Sequence, residues 1–279
     1  MATIAAADVK RLRDATGAGM MDAKKALTEA DGDFEKAIEV LRVSGAAKAA
    51  KRGAERAASN GLVAEAGGAL IQLGAETDFV AKNDEFQALA GEIVAAAAVA
   101  KADSVEAASA ATLRTGATVA DAVTQLAAKI GEKLELSNVA YVAGQHAVYL
   151  HRRDPDLPPQ IGVLVEYEGA DAEAAKVAAQ QVAAMRPGYL TRDEVPAELV
   201  AKEREIAEAN AKESGKPEQA WPKIVEGKLE KFYQENCLLE QSFIKDPAVT
   251  IKDLLAQKIA KIGENMNVRR FTRYQLGEA

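Results

Sequence analysis

Residue types that commonly carry chemistry are few in this chain. It has two histidines, His146 and His151, and a single cysteine, Cys237. No Cys or His pair has the spacing of a metal site, and the phosphate loop G-x-x-x-x-G-K-[ST] and the nucleophile elbow G-x-S-x-G are both missing. GAG at 17–19 lacks the third glycine of a dinucleotide fingerprint, which favours a helix boundary there. We therefore expect no catalytic residue, no metal and no cofactor. An enzyme that uses Asp, Glu and Lys side chains in a cleft stays an alternative.

The stretch TDFVAKNDEF, residues 77–86, contains the most unusual apolar residue of the chain. Phe79 lies between the acidic Asp78 and the basic Lys82, in a segment that we predict to be a connection. The next helix should begin after Asn83, a suitable N-cap, so Phe79 is too far upstream to act as a hydrophobic staple. Its ring could fold back into the core or could be presented to another protein as a wedge. The residues alone leave both alternatives open.

Composition limits the classes of protein that remain. The chain has 279 residues, of which 48% are hydrophobic and 28% charged, as in an ordinary folded protein of two or more domains. A net charge of −7 argues against electrostatic binding to nucleic acid or to an anionic membrane. The N-terminus has no long apolar segment, and the longest apolar run, IVAAAAVA at 93–100, is too short to span a bilayer. With one cysteine, these features predict a cytoplasmic protein.

Hydrophobic spacing predicts three short helices in residues 1–45, the third ending at Gly45. In the second helix we expect a buried stripe of Met20, Lys24 and Leu27 or its neighbour. Because adjacent helical residues do not share a face, one of Met20 and Met21 should be buried and the other accessible. Residues 46–59 are predicted to be a linker helix. It carries a basic run that is either a solvated surface or a contact for an acidic partner: Lys48, Lys51, Arg52 and Arg56.

The middle and end of the chain predict a duplicated α+β core. A β-hairpin at 60–76 turns at Gly67 and Gly68, and an amphipathic helix follows with its apolar face running from Phe86 to Ala97. AKIGEKLELSNVAYV at 128–142 resembles AKIGENMNVRRFTRY at 260–274, which indicates an internal repeat. We expect two core units, 60–142 and 143–190 with 236–279, each a small antiparallel sheet with helices on one side.

Residues 191–235 interrupt the second unit and predict an antiparallel helical hairpin that projects from the core. Its second helix carries an apolar stripe of Trp221, Val225, Leu229 and Phe232 at helical spacing. Leu199 and Ile206 should face this stripe from the first helix. We expect the stripe to pack the hairpin against itself.

Four long motifs carry a resemblance to a known family: LRDATGAGMMDAKKALTEADGD at 12–33, SGAAKAAKR at 44–52, TDFVAKNDEF at 77–86 and KIGE at 129–132. In this order they resemble the bacterial elongation factor Ts family. The resemblance implies an N-terminal ubiquitin-associated-like domain of three helices, a duplicated core and a coiled-coil hairpin. It also implies guanine nucleotide exchange on elongation factor Tu in its GDP-bound and nucleotide-free states, with a homodimer in a two-to-two complex as one arrangement.

The same resemblance assigns the binding residues. It implies that Thr77, Asp78, Phe79 and Val80 press against the GTPase and disturb its Mg²⁺ site. With the basic run, the further predicted partner-binding residues are Arg13, Met20, Met21, Lys24, Lys51, Arg52, Ile130, Gly131 and His151, with His146 as the second choice for the family histidine. The main alternative is a ubiquitin-like or nascent-chain binding module without exchange activity.

Overall fold

The computed structural model describes residues 4–16, 18–55, 57–263 and 265–278, and for 46–55 and 262 it describes the backbone alone. The fold is α+β and divides into two compact units. The first is formed by the chain up to Ala143 together with Leu150–Gly162 and the segment from Tyr274 onwards. The second comprises Gly144–Tyr149 and Val163–Arg273.

Three helices open the first unit, as predicted: α1 (Ala6–Thr16), α2 (Met20–Glu29) and α3 (Phe34–Glu55). They enclose a small apolar core in which Leu12 and Leu27 are among the most completely buried side chains. Of the two neighbouring stripes left open on α2, the one through Met20 and Lys24 is wrong, because both residues are exposed. The buried face of α2 is formed by Ala23, Ala26 and Leu27, so small residues let the helices approach closely.

The prediction that the third helix ends at Gly45 is also wrong. Helix α3 continues to Glu55 and takes in the first part of the predicted linker helix. A Cβ at Gly45 would lie 3.0 Å from the Cβ of Ala128, so the glycine permits a close approach to another helix. The following AAKAAKR is rich in strong helix formers, which sustain the helix beyond the glycine.

The first core sheet has the order β1-β2-β3, with strands β1 (Asn60–Ala66), β2 (Ala69–Ala75) and β3 (Leu134–Tyr141), all paired antiparallel. The predicted hairpin turn is confirmed, with φ of 55° at Gly67 and 85° at Gly68. Four helices lie between β2 and β3: α4 (Asp78–Ala81), α5 (Asp84–Ala100), α6 (Val105–Ala110) and α7 (Val119–Ile130). The predicted apolar face of α5 is confirmed, since Phe86, Ala90, Ile93, Val94 and Ala97 are buried.

The second core sheet has the order β4-β5-β8, with strands β4 (His146–His151), β5 (Ile161–Gly169) and β8 (Met266–Gln275). Helices α8 (Ala172–Met185) and α11 (Ile251–Ile262) lie between β5 and β8 in the sequence. A two-stranded sheet of β6 (Ser242–Phe243) and β7 (Asp246–Thr250) was not predicted. The internal repeat is visible in the backbone. Helices α7 and α11 both end at a left-handed glycine, Gly131 with φ 83° and Gly263 with φ 76°, just before the third strand of a sheet.

The helical hairpin consists of α9 (Ala197–Glu213) and α10 (Trp221–Asn236). Val225 and Leu229 are buried against α9, as predicted, but Ile206 is 45% exposed and does not belong to the buried cluster of the hairpin. Ala207 and Ala211 occupy the contact instead, because their short side chains fit beneath the larger residues of α10. Arg192 anchors the base of the hairpin through ion pairs with Glu230 and Glu240, and its guanidinium stacks over the Tyr233 ring.

Candidate functional site

The segment that carries Phe79 is a single helical turn rather than the open connection that the sequence suggested. Thr77 has extended backbone angles and caps helix α4, its hydroxyl oxygen accepting a hydrogen bond from the Val80 N–H at 3.4 Å. Val80 and Ala81 are 5% and 1% exposed, so the underside of the turn belongs to the core of the first unit. The next helix is capped by Asn83, as predicted, through bonds from the Glu85 and Phe86 amides.

Phe79 is 81% exposed, whereas the adjacent Val80 is buried. Its ring therefore does not fold back into the core, which removes one of the two alternatives for this residue. Asp78 precedes it and is partly exposed. The turn is thus buried through one face and presents an acidic and an aromatic side chain on the other.

Glu132 connects the turn to the motif KIGE. Its carboxylate accepts one hydrogen bond from the Thr77 N–H at 3.2 Å and others from the Thr77 hydroxyl at 3.0 and 3.1 Å. Thr77 and Glu132 are 55 residues apart in sequence and both are partly buried. Two of the motifs that carried the resemblance are therefore joined directly.

A second glutamate, Glu76, connects the end of β2 to the residue before β3. The Glu76 carboxylate accepts a bond from the Lys133 N–H at 2.7 Å, while the Glu76 carbonyl accepts one from the Asn60 side chain at 2.8 Å. Ala75 and Leu134 are the last paired residues at this end of β2 and β3. The two glutamates extend the cross-strand bonding beyond the sheet by using side chains where the strands no longer pair.

Ile130 and Gly131 lie at the same end of the sheet. Gly131 caps α7 in the left-handed conformation, and its N–H bonds to the Ala127 carbonyl at 2.8 Å. Ile130 is partly buried against the core of the first unit. The neighbouring Lys129 binds the Glu85 carboxylate at 2.7 Å, which ties α7 to α5. The predicted residues of TDFV and KIG therefore lie at the same end of the first sheet, where Glu132 joins the two motifs.

The predicted residues of the N-terminal helices pack around a different core. Met20 and Met21 are 48% and 77% exposed, so the expectation that one of them is buried is wrong. Both lie in the first turn of α2, where the helix has just left the loop and neither reaches the buried face. Lys24 is exposed, and Arg13 forms an ion pair with its neighbour Asp14 at 2.7 Å.

The other predicted residues are two cations of the basic run and the two histidines. The side chains of Lys51 and Arg52 lie outside the described residues, although their backbone belongs to α3. His151 is exposed at the end of β4, and its carbonyl accepts the Gln160 N–H at 3.0 Å. His146 contacts the Gly144 carbonyl through Nδ1 at 3.0 Å.

Within the part of the chain that the structure describes, no group of three or more His, Cys, Asp or Glu side chains is arranged to hold a metal ion. Cys237 is buried, and burial raises the pKa of its thiol to about 11, so the thiol stays protonated at neutral pH and is a poor nucleophile. Among the described helices, none combines the length and the apolar character needed to cross a membrane.

Sequence reasoning missed the contacts of Glu76 and Glu132. Both residues flank the quoted motifs, and KIGE contains Glu132, but a contact between residues so distant in sequence leaves no local periodicity. The one available signal was that ETD and GEK border the ends of two strands predicted to lie in one sheet.

The chain is similar to known proteins along its whole length. A family model described as Elongation factor TS matches residues 76–278. Elongation factor Ts of Cutibacterium acnes is 58% identical over 275 residues, covering 99% of each chain. Elongation factor Ts of Mycobacterium avium is 56% identical over 283 residues, covering all of both chains. Elongation factor Ts of a Nocardioides species is 56% identical over 278 residues, covering 99% of this chain and 100% of the relative.

Proposed function

The chain belongs to the elongation factor Ts family, and we propose that it promotes GDP release from the translational GTPase elongation factor Tu. In this proposal the Asp78–Phe79 turn enters the GTPase and disturbs its bound Mg²⁺. The protein acts as a binding partner and not as an enzyme, and it works in the cytoplasm. It binds the GDP-loaded and the nucleotide-free forms of the GTPase.

The observation that supports this role best is the exposure of Phe79 on a well-anchored turn. A solvated phenylalanine gains roughly 1.5–3 kcal/mol when it is fully buried, and this gain becomes available only on contact with another molecule. The residues beneath the ring are fixed by the core and by Glu132, so the ring is presented from a defined position. An apolar side chain held in this way is suited to separate packed elements of a partner.

The internal repeat gives a second line of support. In the second core unit, only Ala170 and Asp171 separate β5 from α8. In the first, residues 76–83 separate β2 from α5 and contain the whole Phe79 turn. The same architecture is therefore built once without this segment, so the sheet and its helix do not require it. A segment that the fold does not require is a natural place for a binding function.

The thermodynamics of exchange explain why no catalytic side chain is needed. Nucleotide and exchange factor are coupled through the GTPase, so a factor that weakens nucleotide binding is itself weakened by nucleotide to the same extent. Mg²⁺ neutralises phosphate charge and holds the loops around it, so disturbing the ion is an effective way to lower nucleotide affinity.

The proposal is tested by measuring release of fluorescent GDP from GDP-loaded elongation factor Tu. We expect sub-stoichiometric amounts of the protein to accelerate release and gel filtration to recover a nucleotide-free complex, whose mass distinguishes a one-to-one from a two-to-two assembly. Binding without faster GDP release would overturn the exchange role and favour a simple binding module.

A further inference from the structure

We propose that Glu132 is the positioning residue of the exchange turn: its carboxylate fixes Thr77, and through Thr77 it sets the orientation in which Phe79 meets the partner. This inference deepens the proposed exchange function and rests on it. Glu132 does not itself need to touch the GTPase.

The hydrogen bonds at Thr77 leave its hydroxyl a single orientation. The hydroxyl has one proton, which it donates to the Glu132 carboxylate, while its oxygen accepts from the Val80 N–H. The same carboxylate also accepts the Thr77 backbone N–H. A charged acceptor makes these bonds stronger than those between neutral groups, and it holds the backbone and the side chain of Thr77 together.

Helix α4 needs such an anchor because it is very short. A single turn fixes several backbone angles for few hydrogen bonds and is unstable by itself. Within the turn, the Ala81 N–H reaches the Thr77 carbonyl at 3.4 Å and the Lys82 N–H reaches the Asp78 carbonyl at 3.1 Å. Val80 and Ala81 hold the underside, but the first residues of the turn depend on the Thr77 cap.

Order of the turn in the free protein affects how tightly the protein binds the GTPase, and therefore how well it promotes exchange. A loop that must become ordered during binding lowers affinity by the entropy that it loses, whereas a preorganised loop does not. If Glu132 keeps the turn formed before the encounter, Phe79 enters the GTPase without this loss. Glu76 also supports this end of the sheet, because its carboxylate accepts a hydrogen bond from the Lys133 N–H.

The chain provides a matched control. Glu85 lies near the same end of the unit, and its carboxylate is held by Lys129 of α7, whereas the Glu132 carboxylate binds the turn. Glu132→Ala removes the carboxylate that accepts the hydrogen bonds from the Thr77 N–H and hydroxyl. Glu132→Gln keeps one side-chain oxygen as an acceptor, in a side chain of nearly the same shape. Glu85→Ala removes a more exposed carboxylate and its ion pair with Lys129 without removing a hydrogen bond of Thr77.

The first measurement uses amide hydrogen exchange in the free protein. We expect Glu132→Ala to speed exchange of the Val80, Ala81 and Lys82 amides by about tenfold or more, because the lost bonds have a charged acceptor. Glu132→Gln should give an intermediate increase, and Glu85→Ala should leave these three amides unchanged. Thermal melts identify any variant that does not fold, in which case Glu132→Gln alone carries the comparison.

The second measurement is the rate of labelled-GDP release as a function of protein concentration. Glu132→Ala should slow release about as much as the turn is destabilised, Glu132→Gln should restore part of the rate, and Glu85→Ala should behave as the parent protein. Unchanged turn amides in Glu132→Ala, or equal slowing by Glu85→Ala, would overturn the positioning role. If the parent protein does not accelerate GDP release from the GTPase, the proposed function is overturned instead. The amide measurement would still decide whether Glu132 holds the turn.

Discussion

Phe79 and Phe86 are seven positions apart and have opposite environments. The first is 81% exposed on α4, and the second is completely buried at the start of α5. Phe86 belongs to an amphipathic stripe, whereas Phe79 belongs to a turn whose buried face is already filled by Val80 and Ala81. A large apolar side chain outside any stripe is therefore the feature that most distinguishes this site.

Phe79→Ala should separate binding from folding. We expect the free energy of unfolding to change by no more than about 0.5 kcal/mol, as for other exposed positions. Release of labelled GDP from the partner should slow strongly. The matched control, Phe86→Ala, should cost about 3–5 kcal/mol of stability because it empties a buried aromatic site. Denaturant melts and stopped-flow GDP release measure both effects. A large loss of stability in Phe79→Ala, with exchange falling only in proportion to the folded fraction, would contradict the wedge.

Met20 and Met21 give a second prediction at the residue scale. Since both are exposed, replacing either by Ala should leave the melting temperature close to that of the parent. Flexible methionine side chains suit a protein contact, so we expect each substitution to weaken the complex with the GTPase. Leu27→Ala on the same helix is the control and should cost about 2–5 kcal/mol, because Leu27 is 1% exposed. Binding titrations that give parental affinity for both methionine variants would exclude this helix end from the interface.

At the scale of elements, the sequence predicted best what repeats along a helix or depends on one turn residue. The stripe on α5 spans about three turns, and Asn83 and the Gly67–Gly68 pair have local roles, so all three predictions were correct. Helix α6 is a single short helix in an alanine-rich stretch, and its main local signal is the Ser104 cap. Such a segment has no apolar periodicity that would reveal it.

Errors arose where packing between elements decides the outcome. Gly45 looks like a helix terminus, but its function is to let α3 approach Ala128. Ile206 has the right hydrophobicity to face α10, yet the smaller Ala207 and Ala211 fit the contact better. Within the candidate site, the residues of TDFV and KIG were identified through family resemblance. Their junction through Glu132 depends on how the sheet brings together residues that are 55 positions apart, and no local pattern reveals it.

Gly131 links an element boundary to the candidate site, and its conformation gives a testable prediction. With φ of 83° at the C-terminus of α7, it lies where an L-residue is strained. Gly131→Ala should therefore destabilise the protein by about 1–2 kcal/mol. Gly91→Ala is the control, since Gly91 is inside α5 and an added Cβ would meet nothing within 4 Å. That change should stabilise the protein by up to about 1 kcal/mol through helix propensity. Urea melts of both variants test the pair, and equal effects would mean that the left-handed cap contributes little.

At the scale of the whole molecule, the internal repeat shows that the segment carrying Phe79 is present in one core unit and has no counterpart in the other. The two sheets share their strand order and their helix–glycine–strand connection, so the first unit could lengthen the link between β2 and α5 without altering either element. The glutamates at the end of the sheet then fix the added segment. The repeated elements are common to both core units, and under the proposed function the segment that only one unit contains is the one that meets the GTPase.

Charge distribution gives the last prediction, which concerns the rate of association. The chain carries a net charge of −7, but residues 48–56 contain Lys48, Lys51, Arg52 and Arg56 and no more than one acidic residue, Glu55. If this basic run meets acidic surface on the GTPase, association should slow as salt rises, because screening acts over about 8 Å at physiological ionic strength and about 3 Å at 1 M. If the net charge dominates and the partner is acidic, added salt should instead speed association.

Stopped-flow association rates measured from low to high salt distinguish the two signs. Replacing Lys51 and Arg52 together by Gln should flatten the salt dependence, whereas Lys231→Gln on the helical hairpin, which removes an exposed cation paired with Glu235 at 3.6 Å, should preserve it. An association rate that is independent of salt in the parent protein would remove the basic run from the interface.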